Sequence, residues 1–317
     1  MNNKKTRLAM INPYNSVKEI VDNSGEFYLG VKDVEQIPNT LVKKLAEYNF
    51  SLHTLDHYSH GGRAIDLHRI NPITGNYMSG SSSGSAINVF LGINDLAIGT
   101  DGGGSVLAPA ISLNLYSFLS PIIEAEYLSK YSKISTDGIK FTPSIGFISK
   151  DYRLLLEVVS NYLQLVKPLN SIKINSTIKL DFPCQRVAYL DNSSSRLEMI
   201  DYLLAQLTEC DVFIYQEEQI DVEGIGDTIY GHFDQMSQRK QNLANKGLLK
   251  VINMAAASAI TIPTNNLSSA IVLVCKSDKI SIAKMLKISQ QLPKHSDELL
   301  ERYFGDLDLY FQKGYQK

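Results

Sequence analysis

Alternating helical and strand signals predict an α/β protein built as one domain. Apolar runs of strand length recur between segments whose apolar residues follow helical spacing. The 317 residues are 44% hydrophobic and 20% charged, enough for a sizeable buried core. The polar, irregular stretch Asn170–Asn192 and the loop Asn192–Ser195 are both too short to force a domain boundary, and no internal repeat is present.

Taken in order, Phe27–Val31 reads as a strand and Asn39–Tyr48 as a helix with Leu41, Val42 and Leu45 on one face. Ala86–Gly92 is apolar and follows Ser82-Ser83-Gly84-Ser85, the pattern of a helix opened by a capping loop. Asp95–Ile98 reads as a short strand. Asp151–Val166 carries Leu154, Leu155, Val158, Tyr162 and Leu165 as a helical stripe. Arg196–Leu207 predicts a helix, Val212–Tyr215 a strand, and Gln235–Ala256 one long helical segment. Ala259–Pro263 and Ala270–Cys275 predict strands, and Ile280–Gln291 and Ser296–Phe304 closing helices.

Charge and composition narrow the function. The net charge is −2 with no basic block, so nucleic acid and anionic membranes are not expected partners. No apolar run reaches the length of a membrane span of roughly 20 residues, and Asn12-Pro13-Tyr14-Asn15-Ser16 interrupts any signal-peptide pattern. Three scattered cysteines, Cys184, Cys210 and Cys275, predict reduced thiols in a cytoplasmic setting. His53, His57 and His60 lack the pattern of a zinc helix and read as a polar surface segment, so no metal is expected. Neither glycine-rich loop matches a phosphate-binding motif, and no cofactor is expected.

Those two loops carry the chemistry. The first, Gly80-Ser81-Ser82-Ser83-Gly84-Ser85-Ala86, runs straight into an apolar segment, unlike a flexible linker. The second, Gly99-Thr100-Asp101-Gly102-Gly103-Gly104-Ser105, ends 24 residues after Ser81. Its glycines are either a plain turn or a device for aiming several N–H groups at one oxyanion. A lysine, Lys32, closes the apolar run Phe27-Tyr28-Leu29-Gly30-Val31. These are the parts of a serine hydrolase with lysine as base. A rival reading takes Gly80-Ser81-Ser82-Ser83-Gly84 as a nucleophile elbow on Ser82, with His232 or His295 as base. The preceding residues, Asn71–Met78, make a poor strand for it.

Ser79-Gly80-Ser81-Ser82-Ser83-Gly84-Ser85-Ala86, followed by Gly99-Thr100-Asp101-Gly102-Gly103-Gly104-Ser105-Val106-Leu107-Ala108-Pro109-Ala110, resembles the paired motifs of the amidase signature family. Lys32-Asp33 matches the context of that family's lysine. His68-Arg69-Ile70-Asn71-Pro72 and Asn253–Pro263 are similar to two weaker family segments. The resemblance is tight over 79–110 and loose elsewhere. It implies a mixed central β-sheet covered by helices on both faces. It also implies Ser105 as nucleophile, Ser81 after a cis peptide as proton relay, Lys32 as base, and the N–H groups of Gly102, Gly103, Gly104 and Ser105 as oxyanion hole. The implied reaction is cleavage of a carboxamide or related acyl bond through an acyl-enzyme. The lysine must be neutral to accept a proton, and burial favours that form.

The chain departs from the family pattern. The stretch from Lys32 to Ser81 is shortened, the motif's arginine is Leu107, and Ser79 and Ser83 replace two glycines. These losses predict a different and more open pocket, suited to a bulky or carrier-bound amide. They also motivate two alternatives: a degenerate member that binds without catalysis, and an acyl transferase or ammonia-supplying subunit with the same triad. Lys32 directed at Ser81 favours the enzyme; Lys32 turned to solvent or paired with Asp33 favours the binding protein. A homo-oligomer is left open.

Overall fold

The computed structural model describes residues 4–21, 25–135, 137–168, 171–190, 194–223, 225–226, 230–295 and 297–311. Asn170, Asn192, Ser193 and Ser296 lie outside them, so the Asn192–Ser195 loop and the start of the Ser296–Phe304 helix are described only in part.

The centre is one eleven-stranded sheet. In spatial order its strands are Val17–Ile20, Phe50–Asp56, Phe27–Lys32, Leu96–Asp101, Ser144–Ser149, Tyr116–Ser120, Ala257–Pro263, Ala270–Lys276, Val212–Glu217, Ile174–Ser176 and Gln185–Arg186. Phe27–Lys32 runs parallel to both its neighbours, whereas Ser144–Ser149 runs antiparallel to both of its own. The sheet is therefore mixed, as expected.

Alternation along the strands shows why helices cover both faces. Ile260, Ile262, Leu273, Cys275, Val212 and Ile214 point into one apolar cluster with Leu41, Leu45, Leu155, Val158, Ile282 and Met285. Their strand neighbours Ala257, Ala259, Val272, Val274, Phe213 and Tyr215 point the other way, against Met199, Leu203, Leu207 and Leu249. Nearer the first loop, Ile87 and Val89 pack with Ala97 and Val106. A sheet buried on both faces needs near-continuous apolar strands, which is what Ala257–Pro263 and Ala270–Lys276 supply.

Most predicted elements are present within a few residues. The helix after the first loop starts earlier than expected, at Ser83, and runs to Phe90. The long segment Gln235–Ala256 is not one helix: Gln235–Asn242 and Leu249–Ile252 are separated by a turn in which Gly247 has φ +48°. That turn drives Leu248 and Leu249 into the core and carries Lys246 inward. Ser296–Phe304 is likewise broken, into Glu298–Leu300 and a wider turn over Glu301–Gly305. All three cysteines are free. Among the described residues no helix is long and apolar enough to cross a membrane.

Candidate active site

Lys32 and Asp101 stand at the C-terminal ends of adjacent parallel strands, and the loops leaving such ends define the usual ligand crevice of α/β sheets. Lys32 is buried, 3% exposed. Its Nζ lies 2.6 Å from Ser81 Oγ, 3.0 Å from Thr100 Oγ1 and 3.4 Å from the Thr100 carbonyl. Asp33, the next residue, pairs with Lys18 instead. Burial pulls the Lys32 pKa from its ordinary 10.5 down to about 7; Asp101 opposes the shift, and the cations of Lys133 and Lys246 support it.

The first loop is gripped from several sides. The Gly80–Ser81 peptide is cis, as the resemblance implies. The Gly80 N–H donates to the Ala64 carbonyl at 2.8 Å, and the Ser81 carbonyl accepts from the Ser59 N–H at 3.1 Å. Lys246 Nζ donates to the Gly80 carbonyl at 2.9 Å and pairs with Asp221 Oδ2 at 3.5 Å. Asp221 also accepts a hydrogen bond from the Ser79 hydroxyl. Residue 80 must be glycine here, since a Cβ would sit 2.3 Å from the Arg63 carbonyl oxygen.

The second loop is organised by Asp101. Its two carboxylate oxygens accept the Gly104 N–H at 2.7 Å and the Val106 N–H at 2.6 Å. This corrects one expectation: the Gly104 amide is committed to Asp101 and is not available to an oxyanion. The tight path of residues 101–104 brings this N–H to the aspartate, and Gly104 itself takes φ +88°, open to glycine. Among the described residues, the amides of Gly102, Gly103 and Ser105 donate to no protein acceptor. Burial raises the Asp101 pKa, while these two amides and the cations of Lys246 and Lys32 hold it down.

A cavity of about 600 Å³ brings together Lys32, Ser81, Thr100, Gly102, Gly103 and Ser105. No hydrogen bond joins the Ser81 and Ser105 hydroxyls, so the chain of contacts is closed on the Lys32–Ser81 side alone. Ser105 is tied to the first loop through its carbonyl, which accepts the Ser82 N–H at 3.1 Å. Ser82 itself is fully buried behind the loop and away from that cavity, which removes the nucleophile-elbow reading. His53 is buried between Asn94 and Thr6, an interior polar contact and not the surface position expected for it.

Sequence reasoning quoted Thr100 and Asp101 without giving them roles, and it missed Lys246 and Asp221. Nothing marked Lys246, because it falls in a segment that reads as helix. Leu107, at the motif's arginine position, is fully buried in the cluster with Leu248 and Leu249.

Comparison with known proteins bears on the fold and on the two serine loops. The amidase family model matches residues 67–118, which span both serine loops. No curated protein matches the chain by sequence. The fold is similar to one component of the glutamyl-tRNA(Gln) amidotransferase of Thermotoga maritima, at 16% identity and TM-score 0.61, covering 90% of this chain and 89% of that one. It is also similar to a bacterial aryl acylamidase of the amidase signature family, at 13% identity and TM-score 0.59 over 97% and 94% of the two chains. A third similar structure is the allophanate hydrolase of Kluyveromyces lactis, at 12% identity and TM-score 0.54, covering 93% of this chain and 71% of that one. The motif match covers the two serine loops, and the chain as a whole has the fold of the amidase signature structures.

Proposed function

We propose that this protein is an amidase-type hydrolase that cleaves a carboxamide or related acyl bond with Ser105, Ser81 and Lys32. The observation that carries the reading is the contact of a buried, low-pKa Lys32 with Ser81 on the wall of the cavity that holds Ser105. Neutral Lys32 accepts the Ser81 proton while Ser81 takes that of Ser105, and Ser105 Oγ attacks the carbonyl carbon. The amides of Gly102, Gly103 and Ser105 receive the oxyanion, each such donor being worth roughly 10²–10³ in rate. The proton returns through Ser81 to the leaving nitrogen, giving an acyl-enzyme and a free amine. Water, activated by the same pair, then attacks the acyl carbon and releases Ser105.

Lys32 faces Ser81 and leaves Asp33 to Lys18, which supports catalysis over a binding role for this site. Acyl transfer to an amine would use the same groups and differ only in the second nucleophile. The cavity wall includes the exposed residues Lys133 and Ile134, in keeping with an open site and a bulky or carrier-bound amide. Butyryl- and succinyl-p-nitroanilide, offered with hydroxylamine, test the reading. Release of p-nitroaniline with formation of the matching hydroxamate, both lost in Ser105→Ala, is the expected result. Turnover that persists in folded Ser105→Ala would overturn the assignment of the nucleophile.

A further inference from the structure

The space in front of Ser105 does not end at the glycine loop. It adjoins a second cavity of about 800 Å³, and the two share Ala64, Gly103 and Arg196 as lining residues. The second is also lined by Lys250, whose backbone carbonyl would lie 3.5 Å from a Cβ built on Gly103. Arg196 lines both cavities and Lys250 the second, so both belong to the space that leads past Gly103.

We infer that Arg196 and Lys250, where the two cavities meet, form a subsite for an anionic group, so that the amide processed here carries a carboxylate or a phosphate on the part reaching past Gly103. This rests on the hydrolase reading above and adds the substrate's charge class.

An anion is called for by unmet hydrogen-bonding capacity beside a second cation. The acidic groups near the junction are already engaged. Asp101 is held by two backbone amides, and Asp221 by Lys246 and the Ser79 hydroxyl. Glu217 is buried beneath, accepting the Tyr189 hydroxyl at 2.8 Å and the Leu248 N–H at 2.7 Å. Glu218, on the second cavity, accepts from the Gln216 side chain. Asp137 takes one edge of the Arg196 guanidinium at 2.9 Å from the outside, and both of those side chains are partly exposed. Lys250 is half-buried, and its ammonium makes no hydrogen bond or ion pair among the described residues. Burial first, and the Arg196 cation second, lower its pKa, while the Glu217 and Asp137 carboxylates oppose the shift. Lys133, an exposed residue of the first cavity, adds a third positive group. A half-buried ammonium without a hydrogen-bond acceptor is costly, and an anion reaching past Gly103 supplies the acceptor and offsets the repulsion from Arg196. Neutral amides would leave that cost in place.

The test uses calorimetric titration of the full-length Ser105→Ala protein, which binds without turnover. Succinamate is compared with butyramide, its neutral counterpart. Succinamate should bind about tenfold tighter or better, as expected for charge-assisted hydrogen bonds to a partly buried site. That preference should collapse in Ser105→Ala carrying Arg196→Gln or Lys250→Met. Inorganic phosphate is then added as competitor: displacement of succinamate assigns the subsite to phosphate esters as well as carboxylates, and absence of displacement restricts it to carboxylates. Equal binding of succinamate and butyramide, or a preference that survives both substitutions, overturns the subsite. Failure of the triad shows separately, as a wild-type Ser105 that no fluorophosphonate labels. Binding preference without labelling keeps the subsite and removes the hydrolase; labelling without preference does the reverse.

Discussion

Lys32 offers the sharpest perturbation, because its protonation state can be set from outside. With a pKa near 7 in place of 10.5, about half of Lys32 is neutral at pH 7. An ordinary lysine would be neutral in roughly one molecule in 3,000 at that pH, so the surroundings as a whole, burial foremost, favour the basic form by about 5 kcal/mol. The assay is the pseudo-first-order rate at which a fluorophosphonate labels Ser105, followed between about pH 5.5 and pH 9.5. The rate should rise with pH through about 7 as Lys32 loses its proton, then level off. Lys246→Met should move the midpoint upward, since removal of a nearby cation makes protonated Lys32 easier to hold. Its circular dichroism reports whether the fold survives losing the Gly80 contact. A flat profile, a midpoint above about pH 9, or a downward shift in a folded Lys246→Met protein would refute the reasoning.

Three further outcomes follow from named contacts. Ser81→Ala removes the hydroxyl between lysine and nucleophile and should slow labelling about 10²–10⁴-fold with little change in melting temperature, the range for losing one acid–base step. Gly104→Ala forces a side chain onto a residue with φ +88° and brings a Cβ to 3.3 Å from the Leu249 carbonyl; it should cost about 1–3 kcal/mol in urea denaturation and slow labelling, with a wild-type stability contradicting the loop geometry. Leu107→Arg restores the family's motif residue but places a cation among Leu248 and Leu249, so it should destabilise by about 3 kcal/mol or more; a neutral effect would mean that the site has a polar outlet.

How much of this was legible in the sequence differs by element. The strands Ala257–Pro263 and Ala270–Lys276 announce themselves because both faces are buried and the runs are continuously apolar. Helices with a capping residue, such as Arg196–Glu209 behind Ser195 and Tyr152–Leu163 behind Asp151, were equally plain. The break between Gln235–Asn242 and Leu249–Ile252 was signalled by the poor helix formers Asn245 and Gly247, but the flanking residues masked it, and burial of Leu248 and Leu249 decides the path. The strands Tyr116–Ser120 and Ser144–Ser149 carry serines in full burial, Ser117 and Ser120 bonded to Thr261 and Ser258 across the sheet, so their apolar signal is diluted. At the site, Lys32, Ser81 and Ser105 could be read from motif and spacing. Capture of the Gly104 amide by Asp101 could not, because it depends on the backbone path through the flexible Gly102 and Gly103, which residue types do not fix. Lys246 was invisible for a different reason: 166 residues separate it from Gly80, and no local pattern records that contact.

The measurement that tests the central proposal most directly is covalent labelling by a fluorophosphonate, located by peptide mass spectrometry in the wild type, Ser81→Ala and Lys32→Met. The account predicts label on Ser105 in the wild type and much slower labelling in both variants. Label on another serine, or none on any serine of a folded protein, would contradict it.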